Sequence, residues 1–161
     1  MSLPENNSTI VLDEIDFRIL KILQNRSNLT TKELAAKVNL STTPVFERVK
    51  KLERAGYIKN YVAVLSAEKL NKGLMVFCNV TLKEHTREIG NQFVKDIQAL
   101  KEVVECYNIS GDYDFFLKIL VSDMKEYQNF VLDKLGSIKN IGSAHSTFVM
   151  GEIKNSYAVP I

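Results

Sequence analysis

The chain has 161 residues, which suits one domain or two small ones, and its 45% hydrophobic and 25% charged residues are typical of a folded globular protein. Its formal net charge of +2 is too small to indicate a nucleic-acid partner by itself. The charge is unevenly distributed, because residues 10–60 contain ten lysines and arginines against six acids, whereas residues 61–161 contain eleven against twelve. This asymmetry predicts that a module in the first third of the chain meets phosphate.

Several classes of site and location are excluded by what the sequence does not contain. Cys78 and Cys106 lie in apolar runs without a CxxC or Cys/His cluster, so we expect buried free thiols. His85 and His145 lack metal-ligand spacing, and no nucleophile elbow, P-loop or dinucleotide fingerprint occurs, so we predict no metal site and no catalytic site. No signal peptide is visible, and no apolar run approaches the ~20 residues that span a bilayer, so we expect a cytoplasmic protein without membrane contact.

Residues 1–9 are polar and contain Pro4, which predicts a flexible tail. A first helix is expected from about Asp13, its N-cap, to Asn25. Thr30 and Glu33 then form a capping box that opens a short second helix, which ends at a tight turn before Leu40.

A third helix is predicted within Leu40–Ile58, because apolar residues recur there at helical spacing and Gly56 ends the pattern. Its start is ambiguous. Ser41 is a good N-cap, whereas Pro44 prefers the first helical position and would make Thr43 the cap. Three short helices with a tight turn between the last two predict a helix-turn-helix domain over residues 10–60.

Residues 57–58 and 61–65 are rich in strand formers, with Lys59-Asn60 between them as a turn. They predict either the hairpin wing of a winged helix or a strand that leads to a second domain. Residues 66–73 are polar and indicate a linker, so we assign residues 61–73 to a hinge strand and linker.

The periodicity of residues 74–161 predicts a second domain of the ferredoxin-like β-α-β-β-α-β type, which makes the whole chain α+β. The last strand is expected at Ala144–Ile153. Two helices can cover only one face of such a four-stranded sheet. Apolar residues also occupy the alternate strand positions, namely Met75, Phe77, Phe116 and Leu120. An open apolar face predicts a homodimer built sheet to sheet.

Four segments together carry a family resemblance: LDEIDFRILKILQ, TKELAAKVNLS, FERVKKLERAGYI and SGDYDFFLKI. In this order, over about residues 10–155, they resemble the leucine-responsive regulatory protein/AsnC family, the feast/famine transcription regulators of bacteria and archaea. The resemblance implies an N-terminal domain that binds double-stranded DNA. It also implies a C-terminal domain that dimerises, often assembles dimers into octamers, and binds a small effector, commonly an amino acid, with no other cofactor.

The predicted DNA contacts lie on the second and third helices. Hydroxyl side chains of the first turn stand where they reach base edges or phosphates, and Arg48 is the expected guanine reader because its fork can pair with O6 and N7. Basic residues further along are assigned to phosphates, and an alternative for Glu47 is an ion pair with Lys50 or Lys51. A merely solvated helix face is the competing interpretation. The full predicted set is Thr31, Ser41, Thr42, Thr43, Glu47, Arg48, Lys50, Lys51 and Arg54.

The predicted effector site surrounds the turn between the two central strands. Family members bind their amino acid near this turn, with the last strand of a neighbouring subunit closing the pocket. The resemblance therefore implies contacts from Gly111, Asp112 and Asp114, with Thr147 and Met150 as weaker candidates. Exposed N–H groups and two acidic side chains could hold a zwitterion there, although an ordinary hairpin turn also needs only Gly and Asp.

The leading hypothesis is a sequence-specific transcription regulator that responds to an amino acid and presents two recognition helices from one dimer. Two alternatives from other classes stay open. One is a small-molecule-binding or enzymatic β-α-β-β-α-β domain with a helical appendage. The other is an architectural DNA binder that is indifferent to ligands. The choice between dimer and octamer also stays open.

Overall fold

The computed structural model of the protein describes residues 10–161, so the predicted tail of residues 1–9 lies outside the described residues. The described chain divides into two compact units, one of residues 10–64 with Lys154–Ile161 and one of Leu65–Ile153. The predicted boundaries, after residues 60 and 73, stay predictions. The segment Lys154–Ile161 was expected with the second domain and groups with the helical unit.

The first unit contains three helices, α1 (Glu14–Leu23), α2 (Thr31–Val38) and α3 (Thr42–Arg54). Asp13 caps α1 and Thr30 caps α2, each within a capping box, as the sequence predicts. The turn between α2 and α3 depends on Asn39, which adopts the left-handed conformation with φ 57°. The predicted helix-turn-helix arrangement is thus confirmed.

The three helices close around one small core, to which each contributes its apolar stripe. Two stripe residues of α3, Val45 and Leu52, are completely buried, whereas Val49 is only partly buried at the edge of this core. The buried apolar side chains are Ile19, Leu23, Leu34, Ala35, Val38, Val45 and Leu52. Since so few side chains hold the unit together, each of them contributes a large share of its stability.

The structure resolves the ambiguous start of α3. Ser41 is the N-cap residue, with extended backbone (φ −74°, ψ 163°), although its side chain makes no capping hydrogen bond. Pro44 is therefore the third helical residue and Thr43 is not the cap. Proline is tolerated there because the N–H groups of the first turn have no intrahelical acceptor.

The predicted strands at residues 57–58 and 61–65 are not formed. Gly56 (φ 76°) lets the backbone reverse, so that Tyr57 and Ile58 donate N–H hydrogen bonds to the Leu52 carbonyl and end α3 instead. Between α3 and Leu74, the described chain contains no strand that could pair with residues 61–65. Val62 and Leu65 in this segment are about two-thirds exposed (67% and 69%).

The second unit contains β1 (Leu74–Leu82), α4 (Arg87–Gln98), β2 (Val103–Asn108), β3 (Phe115–Val121), α5 (Met124–Asn129) and β4 (Ile141–Phe148). Its strands form an antiparallel sheet in the order β2-β3-β1-β4 with two helices on one face. This confirms the predicted β-α-β-β-α-β order. The second helix, α5, continues into a wider π-helical turn at Phe130–Lys134 and then a tighter 3₁₀ turn at Leu135–Ser137.

The predicted position of β4, Ala144–Ile153, is wrong at both ends. The strand begins at Ile141, opposite Leu82, and ends at Phe148, opposite Val76. Gly142 lies inside the strand because the backbone passes close to β1, where a Cβ on Gly142 would stand 3.1 Å from Thr81 Oγ1. Glycine at this position is therefore a requirement of strand packing.

The two faces of the sheet differ as the alternation predicts. The helix-covered face buries Val76, Cys78 and Val80 completely, and Phe93 of α4 packs on Phe115 with ring centroids 4.4 Å apart. Cys106 is exposed, contrary to expectation, because it lies on the edge strand β2.

On the opposite face Phe77 and Phe116 stack at 5.0 Å, and Tyr107 extends the aromatic row at 6.5 Å from Phe116. These two phenylalanines are only half-buried in the single chain. This half-buried apolar surface, which also contains Met75 and Leu120, is called the open face below.

Candidate functional site

One exposed face of α3 collects most of the predicted DNA contacts. Thr43, Glu47, Lys50 and Arg54 follow each other at helical spacing on the side opposite the buried stripe. Ser41, Thr42 and Lys51 are exposed beside them, whereas Thr31 and Arg48 are partly buried. The structure therefore brings the three hydroxyl side chains at the start of α3 and three basic residues to one continuous surface.

The ion pairs on this surface differ from the predicted ones. Lys50 Nζ lies 2.8 Å from Glu53 Oε2, and Lys51 Nζ lies 3.6 Å from Asp16 Oδ2 of α1. Arg54 Nε donates to the Lys50 carbonyl oxygen at 3.2 Å. The suggested pair of Glu47 with Lys50 or Lys51 is thus wrong. Among the ion pairs of the described residues none includes Glu47, which leaves its carboxylate on the exposed face.

Arg48, the predicted guanine reader, points toward α1. Its Nη1 donates to Asp16 Oδ1 at 2.6 Å and to Asp13 Oδ2 at 2.7 Å, and its side chain is 27% exposed. The two carboxylates raise the pKa of the Arg48 guanidinium, Asp16 more than Asp13. The backbone N–H of Asp16, and after it the guanidinium, lower the pKa of Asp13. Sequence spacing showed that Arg48 was on α3 but not that two acids were within its reach.

Phe46 is an exposed apolar residue of α3 outside the predicted set of DNA contacts. Its ring is 47% exposed, and Lys50 Nζ lies 5.8 Å from the ring centroid. It lines a surface cleft together with Thr31 of α2 and Tyr61. Its exposure could have been predicted from helical spacing, because the residue that follows the stripe residue Val45 lies off the core-facing stripe.

The turn between β2 and β3 holds three of the predicted effector residues. Gly111 has φ 118°, a conformation that favours glycine, and both Gly111 and Asp112 are exposed. Asp114 faces its own sheet, because its Oδ2 accepts the Leu82 N–H at 2.7 Å and its Oδ1 lies 3.0 Å from His85 Nε2. Asp114 therefore anchors the turn to the end of β1, while the carboxylate of Asp112 is directed to solvent.

The two weaker effector candidates lie elsewhere on the sheet. Thr147 pairs with Phe77 on β1, whereas the turn adjoins Phe115, which pairs with Val80. Three strand residues separate these two levels by roughly 10 Å. Met150 lies beyond the end of β4 and is 98% exposed. One chain thus does not bring Thr147 and Met150 to the turn.

Two negative findings concern the residues that the structure describes. No group of three or more His, Cys, Asp or Glu side chains among residues 10–161 is arranged to hold a metal ion. Over the same range, no helix combines the length and the apolar character that crossing a membrane requires.

Family models match both units. Residues 12–59 match the family described as winged helix-turn-helix DNA-binding, and residues 75–159 match the Lrp/AsnC ligand binding domain. The leucine-responsive regulatory proteins of Escherichia coli strain K12 and of Klebsiella pneumoniae are each 38% identical over 145 residues, which cover 90% of this chain and 88% of theirs.

Solved structures show the same similarity. The complex of a transcriptional regulator from Neisseria meningitidis with L-Met has a TM-score of 0.90 at 36% identity, covering 93% of this chain and 97% of that one. An AsnC family transcriptional regulator from Agrobacterium tumefaciens has a TM-score of 0.88 at 37% identity, covering 92% and 97%.

Proposed function

Because the chain belongs to the Lrp/AsnC family and is therefore a DNA-binding transcription regulator rather than an enzyme, we propose that the exposed face of α3 reads double-stranded DNA under the control of an amino acid. The observation that carries this proposal is the face itself. Thr43, Glu47, Lys50 and Arg54 stand clear of the core on a helix that the rest of its unit supports. From Thr43 to Arg54 the face is roughly 16 Å long, which suits a major groove about 12 Å wide.

The proposed contacts divide along the helix. Ser41, Thr42 and Thr43 lie at the N-terminus of α3, where free backbone N–H groups attract a phosphate and short side chains reach base edges. Glu47 can accept a hydrogen bond from cytosine N4, and Phe46 can pack on a thymine methyl group. Phosphates are proposed to bind the positive charges of Lys50, Lys51 and Arg54. The hydroxyl of Thr31, at the start of α2, would donate a hydrogen bond to a phosphate beside them.

The proposed effector is an amino acid bound at the β2–β3 turn. The regulator from Neisseria meningitidis, at 36% identity, forms a complex with L-Met. The exposed Asp112 carboxylate would hold the ammonium group of such a ligand, and Asp114 would keep the turn in place. Since Thr147 and Met150 lie away from the turn in one chain, they would reach the ligand from a neighbouring subunit.

The open face supports a homodimer as the assembly that carries two α3 helices, with an octamer as the larger form. A two-fold dimer would present these helices to major-groove faces about 34 Å apart. The effector would act through different affinities for the alternative assemblies, because equal affinity would shift nothing. DNA as the target also fits the expected cytoplasmic location.

The DNA-binding surface is tested by removing one charge. Arg54→Ala is expected to weaken binding to operator and to random duplex alike, and to reduce the slope of log affinity against log salt by about one, because one phosphate contact is lost. Thr43→Ala should instead lower operator binding and relax the preference at one base pair. The measurement is fluorescence anisotropy at several salt concentrations, with an operator identified by footprinting on genomic DNA.

The matched control is Lys95→Ala, which removes the same charge from an exposed position on α4. If Arg54→Ala and Lys95→Ala gave the same salt slope, Arg54 would not be a DNA contact.

The effector site is tested by calorimetry with L-methionine and a panel of other amino acids. Asp112→Ala is expected to weaken binding by about tenfold or more, because the ammonium group of the ligand loses a charge-assisted hydrogen bond. The melting temperature should not change, since the Asp112 side chain is exposed. Asp114→Ala should lower both affinity and melting temperature because it also releases the Leu82 N–H. Asp133→Ala is the control for an exposed acid on the α5 extension. Unchanged heat in Asp112→Ala would exclude that residue.

A further inference from the structure

We infer that Arg48 is a positioning residue of the DNA-reading helix: its guanidinium holds α3 against the first turn of α1 through Asp16 and Asp13, and does not itself contact DNA. This inference rests on the proposed function of α3. It changes the role expected from the sequence, in which Arg48 was the guanine reader. It also gives a function to Asp16, an acid on the buried side of α1 that DNA binding alone does not explain.

The position of Arg48 on α3 separates it from the exposed face. It follows the buried Val45 by three residues and precedes the buried Leu52 by four, so it borders the core-facing stripe. Glu47, its neighbour in sequence, lies about 100° further round the helix, on the exposed face. The side chain of Arg48 therefore starts from the side of the helix that meets α1.

Asp16 supplies the reason for the contact. It is 0% exposed and is the only buried charged side chain among the described residues. A buried carboxylate is strongly unfavourable unless it is paired and hydrogen-bonded. Arg48 Nη1 satisfies Oδ1 at 2.6 Å, while Oδ2 accepts the Asp13 N–H at 3.3 Å and lies 3.6 Å from Lys51 Nζ.

The same nitrogen of Arg48 joins the capping box of α1 to α3. Asp13 Oδ1 accepts the Asp16 N–H at 2.9 Å, and its Oδ2 accepts Arg48 Nη1 at 2.7 Å. The two acids and the two bases, Arg48 and Lys51, form a group without net charge. A guanidinium that left this group for a guanine would abandon two carboxylates, one of them buried. Lys51, 44% exposed and more distant, can turn to a phosphate without that penalty.

The angle of α3 in the groove decides which side chains meet base edges. A binding constellation works only when its supporting residues hold it to within about 0.5 Å and 10–20°. The contact between Arg48 and the first turn of α1 supplies such support at the middle of α3. Removing it should misplace Thr43, Glu47 and Lys50 together, while each of them is still present.

The test uses the sign of a charge effect in the full chain. Asp13→Asn and Asp16→Asn each remove a negative charge from the DNA-binding unit. If Arg48 contacts DNA, the loss of this charge should increase operator affinity. If Arg48 is a positioning residue, both substitutions instead lower operator affinity, Asp16→Asn by about tenfold, as for residues that orient a binding group. Arg48→Gln should do the same, Arg48→Lys should lose less, and Asp16→Asn/Arg48→Gln should lose less than the sum of its parts.

Two further readouts come from anisotropy on an operator and its single-base variants, at a temperature where circular dichroism shows each protein folded. Arg48→Gln should leave the salt slope unchanged and lower discrimination at all base pairs together. Arg54→Gln, in contrast, should reduce the slope by about one.

Each other outcome overturns the inference. Relaxed preference at one G·C pair in Arg48→Gln, with tighter binding in Asp13→Asn, would make Arg48 a base reader. A salt slope reduced by about one in Arg48→Gln would make it a phosphate contact. Unchanged operator affinity in Asp13→Asn, Asp16→Asn and Arg48→Gln would mean that the contact contributes only to the stability of the fold. If the wild-type chain shows no sequence preference, the proposed function fails, and the role of Arg48 fails with it.

Discussion

Leu52→Ala is expected to abolish specific DNA binding while effector binding persists. Leu52 is completely buried in the core of the helical unit, and truncating such a leucine costs about 2–5 kcal/mol. A unit of this size has a free energy of unfolding of only about 3–8 kcal/mol. A large fraction of its stability would therefore be lost with one side chain. The second unit has its own core around Phe93 and Leu117 and should stay folded.

Three measurements check this result. Calorimetric melting should show the transition of the helical unit shifted to lower temperature and that of the second unit unchanged. Gel shift should show loss of the operator complex, and titration with L-methionine should give the wild-type heat. The control is Leu132→Ala, the same change at a leucine that is 67% exposed, which should behave as wild type. Loss of effector binding in Leu52→Ala would contradict the independence of the two units.

Phe77→Glu is expected to convert the proposed homodimer into a monomer. Phe77 stacks on Phe116 near the centre of the open face, beside Met75 on the same strand. An interface across this face would bury the new carboxylate beside Lys118, whose ammonium group already pairs with Glu105 at 2.9 Å. The added charge would therefore not be neutralised, and burying it is strongly unfavourable. A rise of about a hundredfold or more in the dimer dissociation constant would follow. The monomer should still fold, since the helix-covered core is untouched.

Sedimentation velocity over a range of concentrations measures the change. Binding to a DNA site with two half-sites should weaken far more than binding to one half-site, because only the dimer carries two α3 helices. Met124→Glu places the same charge on an apolar residue of α5 that is 56% exposed, and should leave the mass unchanged. A wild-type mass for Phe77→Glu would show that any dimer uses another surface.

Local signals in the sequence determined the elements and their order. The predicted capping residues Asp13 and Thr30 each accept a hydrogen bond from the backbone N–H three residues on. The alternation in β1 correctly separated a buried face from a half-buried one. Such features depend on neighbours within about four residues, so the chain specifies them without its tertiary structure. The family resemblance extended them to a transcription regulator with a ligand-binding domain.

Other features depended on segments far apart in the chain. Residues 61–65 have strand-forming side chains, but a strand needs a neighbour for its backbone hydrogen bonds, and the described chain supplies none. Gly142 lies within β4 because Thr81 of β1 passes close to it, which is a contact across 61 positions. Periodicity cannot anticipate such contacts, since it describes only the side of an element on which a residue lies.

For the candidate sites, the sequence predicted which residue types are present, whereas the directions of their side chains depended on the tertiary structure. Sequence alone placed Arg48 on a basic helix and Asp114 in an acidic turn. Only the tertiary structure turned Arg48 toward the buried Asp16 and Asp114 toward the Leu82 N–H. Both side chains bind partners that become buried on folding, because a buried charge or backbone N–H must be paired. The exposed Glu47 and Asp112 have no such demand and remain directed to solvent, where DNA and an amino acid would meet them.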